Sequence, residues 1–73
     1  MQFDNLGVVE KKVLGALMIL ADEFNKVKAT ITEIAHTMGY KTAGGAITYA
    51  LRILERDNFI AQLPGERTFK LLI

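Results

Sequence analysis

The stretch from Thr30 to Ile60, TITEIAHTMGYKTAGGAITYALRILERDNFI, decides the fold of this 73-residue chain. Thr30 and Glu33 have the spacing of a capping box, in which each side chain bonds a backbone amide at the start of a helix. Gly39 can adopt the positive φ that ends such a helix. A longer segment with helical periodicity follows it. We therefore predict a short helix, a glycine-ended turn, a longer helix and the entry to a strand.

Apolar residues recur at helical spacing in both segments and give each helix one buried face. The inward positions are Ile31, Ile34, Ala35 and Met38 in the short helix, and Ile47, Ala50, Leu51 and Leu54 in the longer one. We expect the longer helix to run over about 42–57, with Thr42 as its N-cap and Asn58 as its C-cap. Its outward residues are Gly45, Tyr49, Arg52 and Arg56, with Thr48 on the flank.

A further helix is predicted before Thr30. Asp4 is a candidate N-cap, and Phe3 and Val8 have the spacing of a hydrophobic staple around it, so this helix should begin near Asn5. Its core-facing stripe is Val9, Val13, Ala16, Leu17, Leu20 and Phe24. The run from Lys26 to Ala29 is short enough to form only a brief strand.

Leu14 and Met18 lie four residues apart on the other side of this first helix. An apolar pair on a second face indicates a second partner, although single exposed apolar side chains are also common without one. Gly15 beside them either permits close helix approach or simply weakens the helix. The candidate homodimer interface is Leu14 and Met18 together with Phe3 or Leu6 of the N-terminal arm.

The end of the chain predicts a two-stranded hairpin. Residues 59–63 alternate as a strand, Pro64 and Gly65 are turn residues, and 68–73 is a β-branched, aromatic and aliphatic run. The whole chain, 1–73, is therefore predicted to be one α+β domain with three helices, a short strand and a C-terminal hairpin.

Composition excludes several classes of function. Cysteine is absent and His36 is the only histidine, which removes disulfides, thiolate nucleophiles and the usual metal sites. His36 itself is expected to be a solvated residue on the outer face of the short helix. Without a convincing carboxylate pair or a phosphate-loop pattern, we expect no enzyme, no cofactor and no small-molecule ligand at this size. The absence of cysteine fits a reducing compartment, so we expect a cytoplasmic protein. The longest apolar run, 13–21, is too short to span a membrane.

The outward face of the longer helix suits the DNA major groove, which is about 12 Å wide. Small residues stand where the helix tip would enter, free amides at the helix start suit a phosphate, and Arg52 can reach a guanine edge or a phosphate. The candidate DNA-contacting residues are Lys41, Thr42, Gly44, Gly45, Thr48, Tyr49, Arg52, Arg67 and Lys70. The alternatives are glycines that serve tight packing, arginines that are merely solvated, and a half-buried Tyr49 against the first helix.

From Thr30 onward the chain resembles the DNA-binding domain of LexA-type repressors and, more loosely, other winged helix-turn-helix regulators. The likeness is carried by TITEIAHTMGYKT at 30–42, LRILERDNFI at 51–60 and TFKLL at 68–72. It implies a small winged helix-turn-helix fold, with residues 41–52 at or near the major groove and a hairpin wing, carrying Arg67 and Lys70, on the DNA backbone. The chain departs from the pattern at 43–45, where Ala-Gly-Gly replaces polar side chains.

Two functions of different class follow. The first is a transcription regulator that binds double-stranded DNA as a homodimer, because the net charge of +1 leaves one monomer few phosphate contacts. The second is a winged-helix adaptor that binds a protein and no DNA. RNA binding ranks below both, because the predicted sheet lacks interleaved aromatic stacking positions.

Overall fold

Three helices and a three-stranded antiparallel sheet make up the described part of the chain, residues 6–64 and 68–72 of a computed structural model. The elements are α1 (Val8–Leu20), β1 (Lys26–Lys28), α2 (Ile31–Thr37), α3 (Gly45–Arg56), β2 (Ile60–Leu63) and β3 (Thr68–Leu71). The α+β class and the order of elements agree with the prediction.

The sheet has the strand order β1-β3-β2, with Val27 paired to Phe69 across β1 and β3, and Gln62 paired to Phe69 across β2 and β3. The predicted short strand is therefore an edge of the same sheet as the predicted hairpin. Strand residues alternate between the two faces. Val27, Ile60 and Leu71 are buried, so the helices cover their face of the sheet.

The core is built from all three helices and the sheet. Its fully buried larger side chains are Val13, Leu17, Val27, Ile34, Ile47, Leu54 and Ile60. The predicted inward residues of α3 are all buried, and those of α2 are buried or pack against the core. Most of the predicted α1 stripe is also buried or packs against the core. The prediction for Phe24 is wrong, because α1 ends at Leu20 and Phe24 lies beyond it, 65% exposed.

The second predicted face of α1 is also partly wrong. Leu14 is only 2% exposed and Leu6 is 6% exposed, so both belong to the core. The reason is that α1 contacts α2, α3 and β1, which together cover more than one stripe of the helix. Only Met18 of the described candidate interface residues is exposed, at 55%, and Phe3 lies outside the described residues.

The helix α1 begins at Val8, later than predicted. Gly7 is its N-cap, and its backbone amide donates to the Glu10 Oε1 atom at 3.2 Å. The Glu10 side chain thus supplies an acceptor for the Gly7 amide, although Gly7 has no side chain that could cap the helix. The predicted Asp4 cap and its staple with Phe3 fall outside the described residues.

The predicted ends of α2 are confirmed in detail. The Glu33 amide donates to Thr30 Oγ1 at 3.1 Å, and the Thr30 amide donates to Glu33 Oε1 at 3.2 Å. At the other end Gly39 has φ of +89°, and the Tyr40 amide donates to the Ala35 carbonyl at 2.9 Å. Local hydrogen bonds therefore define both ends of this short helix.

We expect Thr30→Ala to destabilise the fold by about 1 kcal/mol, because it removes the acceptor for the Glu33 amide. The measurement is urea unfolding followed by circular dichroism. Thr32→Ala is the matched control, since Thr32 is exposed on the same helix and makes no capping bond. Equal losses in the two variants would contradict the capping assignment.

A turn centred on Asp22 separates α1 from β1. Its Oδ1 atom accepts the Phe24 amide at 2.8 Å and the Lys26 amide at 3.0 Å. The hydrogen bond from the Lys26 amide, followed by that from the Phe24 amide, holds the pKa of the Asp22 carboxyl below its usual 3.8. A smaller effect of burial raises this pKa, and the charge of Lys26 lowers it slightly. The turn redirects the chain out of α1, which leaves Phe24 in solvent.

We expect this turn to make stability dependent on pH. Because the pKa of Asp22 is lowered by folding, its contribution is present above the unfolded pKa of about 3.8 and is lost as the pH falls through the lower folded value. The difference in melting temperature between wild type and Asp22→Ala should therefore shrink on acidification from pH 6 to about pH 2. Asp22→Asn keeps an acceptor that does not titrate here, so its difference from Asp22→Ala should not shrink.

Candidate nucleic-acid interface

The exposed stripe of α3 consists of Gly45, Tyr49, Arg52 and Arg56, which recur at helical spacing opposite the buried residues. All four are exposed, as predicted, and Thr48 is partly exposed on the flank. Tyr49 is 64% exposed, so it does not pack against α1 as the alternative interpretation required. The stripe is a continuous polar surface along one side of the helix.

The N-terminal end of α3 carries no side chain at two successive positions, Gly44 and Gly45. A Cβ atom placed on Gly44 or Gly45 would meet no other atom within 4 Å, so neither glycine is required by packing inside the fold. Gly44 is the N-cap, with extended backbone, and no side chain caps the helix. The Ile47 amide donates to the Gly44 carbonyl at 3.1 Å, so the Gly45 and Ala46 amides are the ones at the start of α3 that lack an intrahelical acceptor, and both residues are exposed.

The helix starts at Gly45, and the prediction that Thr42 caps it is wrong. Thr42 lies in the connection between α2 and α3, two residues before the cap. His36 Nε2 lies 3.1 Å from the carbonyl oxygen of Lys41 and tethers this connection to the last turn of α2. Since a carbonyl only accepts, Nε2 carries the proton in this bond. The helix then begins only after the glycine pair.

This tether gives His36 a role that the sequence did not reveal. The side chain is exposed, as expected, yet it holds the backbone that carries Lys41 and Thr42, both of which are exposed beside the start of α3. The only sequence signal was a histidine five residues before a lysine, which is not specific. Lys12 of α1 also reaches this connection, with its Nζ atom 6.0 Å from the centre of the Tyr40 ring.

The two arginines of the α3 stripe differ in their surroundings. Arg56 Nε donates to Asp57 Oδ1 at 3.2 Å, which partly neutralises its charge. Arg52 makes no ion pair or side-chain hydrogen bond with any residue that the structure describes. Arg52 is therefore the cation of the stripe that is free to bind an external acceptor.

Of the two predicted wing residues, Lys70 lies apart from this surface. Lys70 is on the central strand β3, directly opposite Lys26 of β1, and both are exposed. Their face of the sheet is turned away from the helices, whereas α3 packs on the covered face. Arg67 lies outside the described residues. The structure thus brings together all the predicted residues from Lys41 to Arg52, and it places Lys70 on the opposite side of the sheet.

Lysines dominate that outer sheet face. The register puts Lys26, Lys28 and Lys70 on one face, with Lys28 opposite Thr68. The sequence analysis missed this grouping because β1 and β3 are far apart in the chain and their register cannot be deduced from periodicity. Lys26 and Lys70 are directly opposite each other and repel, so this pair does not stabilise the sheet.

The other surfaces of the described residues offer less chemistry. An open groove of about 380 Å³ lies between the start of α2 and the sheet, lined by Ala29, Thr30, Ile31, Thr32, Gln62 and Phe69. In residues 6–64 and 68–72, no three His, Cys, Asp or Glu side chains are grouped as metal ligands, and no helix has the length and apolarity of a membrane span. Comparison of the chain with protein-family models, curated proteins and solved structures finds no significant match.

Proposed function

We propose that the chain is a DNA-binding transcription regulator that inserts α3 into the major groove. The observation that carries this proposal is the α3 stripe itself, in which Arg52, without a partner among the described residues, follows a tip with no side chains at Gly44 and Gly45. A helix tip of this kind can approach the groove floor closely, and an arginine two turns along can reach a base edge or a phosphate.

The topology supports a winged helix-turn-helix for this function. The order α1-β1-α2-α3-β2-β3, with β3 between β1 and β2, is the layout expected of such a domain, with α3 as the reading helix and the β2–β3 hairpin as the wing. Lys41 and Thr42 would contact phosphates beside the start of α3, and Thr48 and Tyr49 would face the groove wall. Arg67, at the tip of the hairpin in the sequence, is a proposed contact to the flanking backbone, whereas Lys70 faces away from α3 and is left out of the proposed surface.

The regulator is proposed to act as a homodimer. The net charge is only +1, and one monomer would offer about three or four phosphate contacts, which gives weak binding at physiological salt. Two copies on two half-sites would roughly double the dependence of affinity on salt.

Fluorescence anisotropy with a mixed-sequence duplex, titrated against salt, tests the proposal. We expect affinity to fall linearly with salt on logarithmic axes. The double charge reversal Lys41→Glu, Arg52→Glu should abolish binding, while the circular dichroism spectrum stays unchanged because both residues are exposed. Unchanged affinity in that double variant would rule out the assigned face.

A protein-binding adaptor is the second candidate function. It is favoured by the exposed apolar residues Val8, Met18 and Ile19 of α1, together with the low net charge. The same titration separates the two functions, because an adaptor would show no DNA binding even at low salt.

A further inference from the structure

One side of α1 is exposed and rich in apolar atoms. At 100° per residue, Val8, Lys11, Lys12, Gly15, Met18 and Ile19 all lie on the side of the helix away from the core, and we call them the α1 outer face. Val8 is 72% exposed, Met18 55% and Ile19 74%. Met18 and Ile19 expose apolar surface one turn beyond Gly15, and Val8 does so at the start of the same face, so this face offers apolar contacts to a partner.

The α1 outer face has a notch at Gly15 and a projecting side chain, Ile19, one turn further along. A Cβ atom on Gly15 would meet nothing within 4 Å, so the helix backbone is bare at that point. Ile19 projects from the next turn, four residues on. When two helices pack together, a projecting side chain of one helix can fill a notch on the other, as ridges pack into grooves.

The charges around the notch are arranged to match a second copy. Lys12 and Lys11 precede Gly15 by three and four residues, and Asp22 and Glu23 follow Ile19 by the same numbers. Since α1 ends at Leu20, Asp22 and Glu23 lie in the turn just beyond it. An antiparallel pairing that sets Gly15 against the second copy's Ile19 therefore brings the lysine end of one helix near the acidic turn of the other. A parallel pairing would set lysines against lysines instead.

The acidic residues are accessible for this pairing. Asp22 and Glu23 are both exposed immediately after α1. Asp22 already accepts two amides of its own turn and lies near the charge of Lys26, so Glu23 is the acidic residue that the pairing uses. One antiparallel register thus sets the notch against the projection and brings the lysine end of each α1 near Glu23 of the other copy.

We infer that the α1 outer face binds a second copy of this chain in an antiparallel, two-fold symmetric pair, with Ile19 of each copy against Gly15 of the other. This inference rests on the proposed function for the need of two copies, and it replaces the predicted interface through Leu6 and Leu14, which are buried. In a two-fold interface every contact occurs twice, so small changes have doubled effects.

Gly15→Ala provides the sharpest test, because the inference gives it two opposite effects. A methyl group there meets nothing in its own chain and favours helix, so the melting temperature of the dilute protein should rise by about 4 °C. The same methyl fills the notch twice in the dimer, so sedimentation equilibrium should show dimerisation weakened about tenfold. A rise in melting temperature with unchanged dimerisation would overturn the inference.

A charge exchange tests the register. Lys11→Glu and Glu23→Lys should each weaken the dimer about fivefold, and the double variant should recover it, because both pairs are again opposite in sign. Gln62→Ala, at an exposed site on β2, is the control and should leave association unchanged. No recovery in the double variant, or a monomeric wild type at about 1 mM, would refute the pairing.

Neither measurement uses DNA, so the two proposals fail separately. A dimer with the expected variant effects but no DNA binding would leave the inference standing and remove the proposed function. A monomer whose DNA binding depends on Arg52 would remove the inference and leave DNA binding through α3 standing.

Discussion

Replacing Arg52 by alanine is expected to weaken DNA binding about tenfold. The guanidinium is exposed on the α3 stripe and has no partner among the described residues, so no interaction inside the fold competes with an external acceptor. If the contact is to a phosphate, the slope of affinity against salt should also fall by about one for each copy bound. Anisotropy titrations of the variant at several salt concentrations measure both quantities.

Arg56→Ala is the matched control, because it removes the same charge from the same helix. Arg56 is already paired with Asp57 at 3.2 Å, so its loss should change DNA affinity by only about twofold. The proposed contact at Arg52 therefore predicts a larger loss of DNA affinity for Arg52→Ala than for Arg56→Ala. A larger loss in the Arg56 variant than in the Arg52 variant would show that the reading surface lies at the other end of α3.

Leu54→Ala is expected to have the largest effect on stability. Leu54 is fully buried in α3, and its truncation should cost about 2–5 kcal/mol through lost burial and the cavity left behind. A domain of this size has a total stability of about 4–11 kcal/mol, so the variant should be partly unfolded at 37 °C. The measurement is the urea midpoint, with DNA binding lost in parallel as α3 unfolds.

Leu72→Ala is the matched control for Leu54→Ala, because it makes the same chemical change at an exposed site. Leu72 is 45% exposed, and its backbone amide bond to the Phe59 carbonyl survives in the alanine variant. We expect a loss below about 1 kcal/mol there. Similar urea midpoints for the two variants would mean that α3 does not pack as described.

Features that depend on neighbouring residues were predictable from the sequence. The capping box of Thr30 and Glu33, the positive φ of Gly39 and the buried stripe of α3 each involve residues within one or two helical turns. The strands followed from alternation and turn residues in the same way. For these elements local hydrogen bonding and periodicity decide the structure, and distant parts of the chain only add to it.

Features that depend on distant partners were not predictable. Leu14 was assigned to an exposed face because periodicity reveals a stripe but not how many elements cover it. The start of α3 was misplaced because Thr42 is a good cap locally, and the tether from His36 to Lys41 was not visible. Residue types suggested most of the candidate site, but the ion pair that distinguishes Arg56 from Arg52 required the side-chain geometry.

The position of β3 has a consequence for synthesis of the protein. Thr68–Leu71 is the middle strand of the sheet, yet the ribosome makes it after both edge strands. On the nascent chain, β1 and β2 therefore have exposed backbone groups and no partner until residues 68–71 have emerged. A stop codon before position 68 would remove the one strand that joins the other two, so translation must pass this point before any sheet can form.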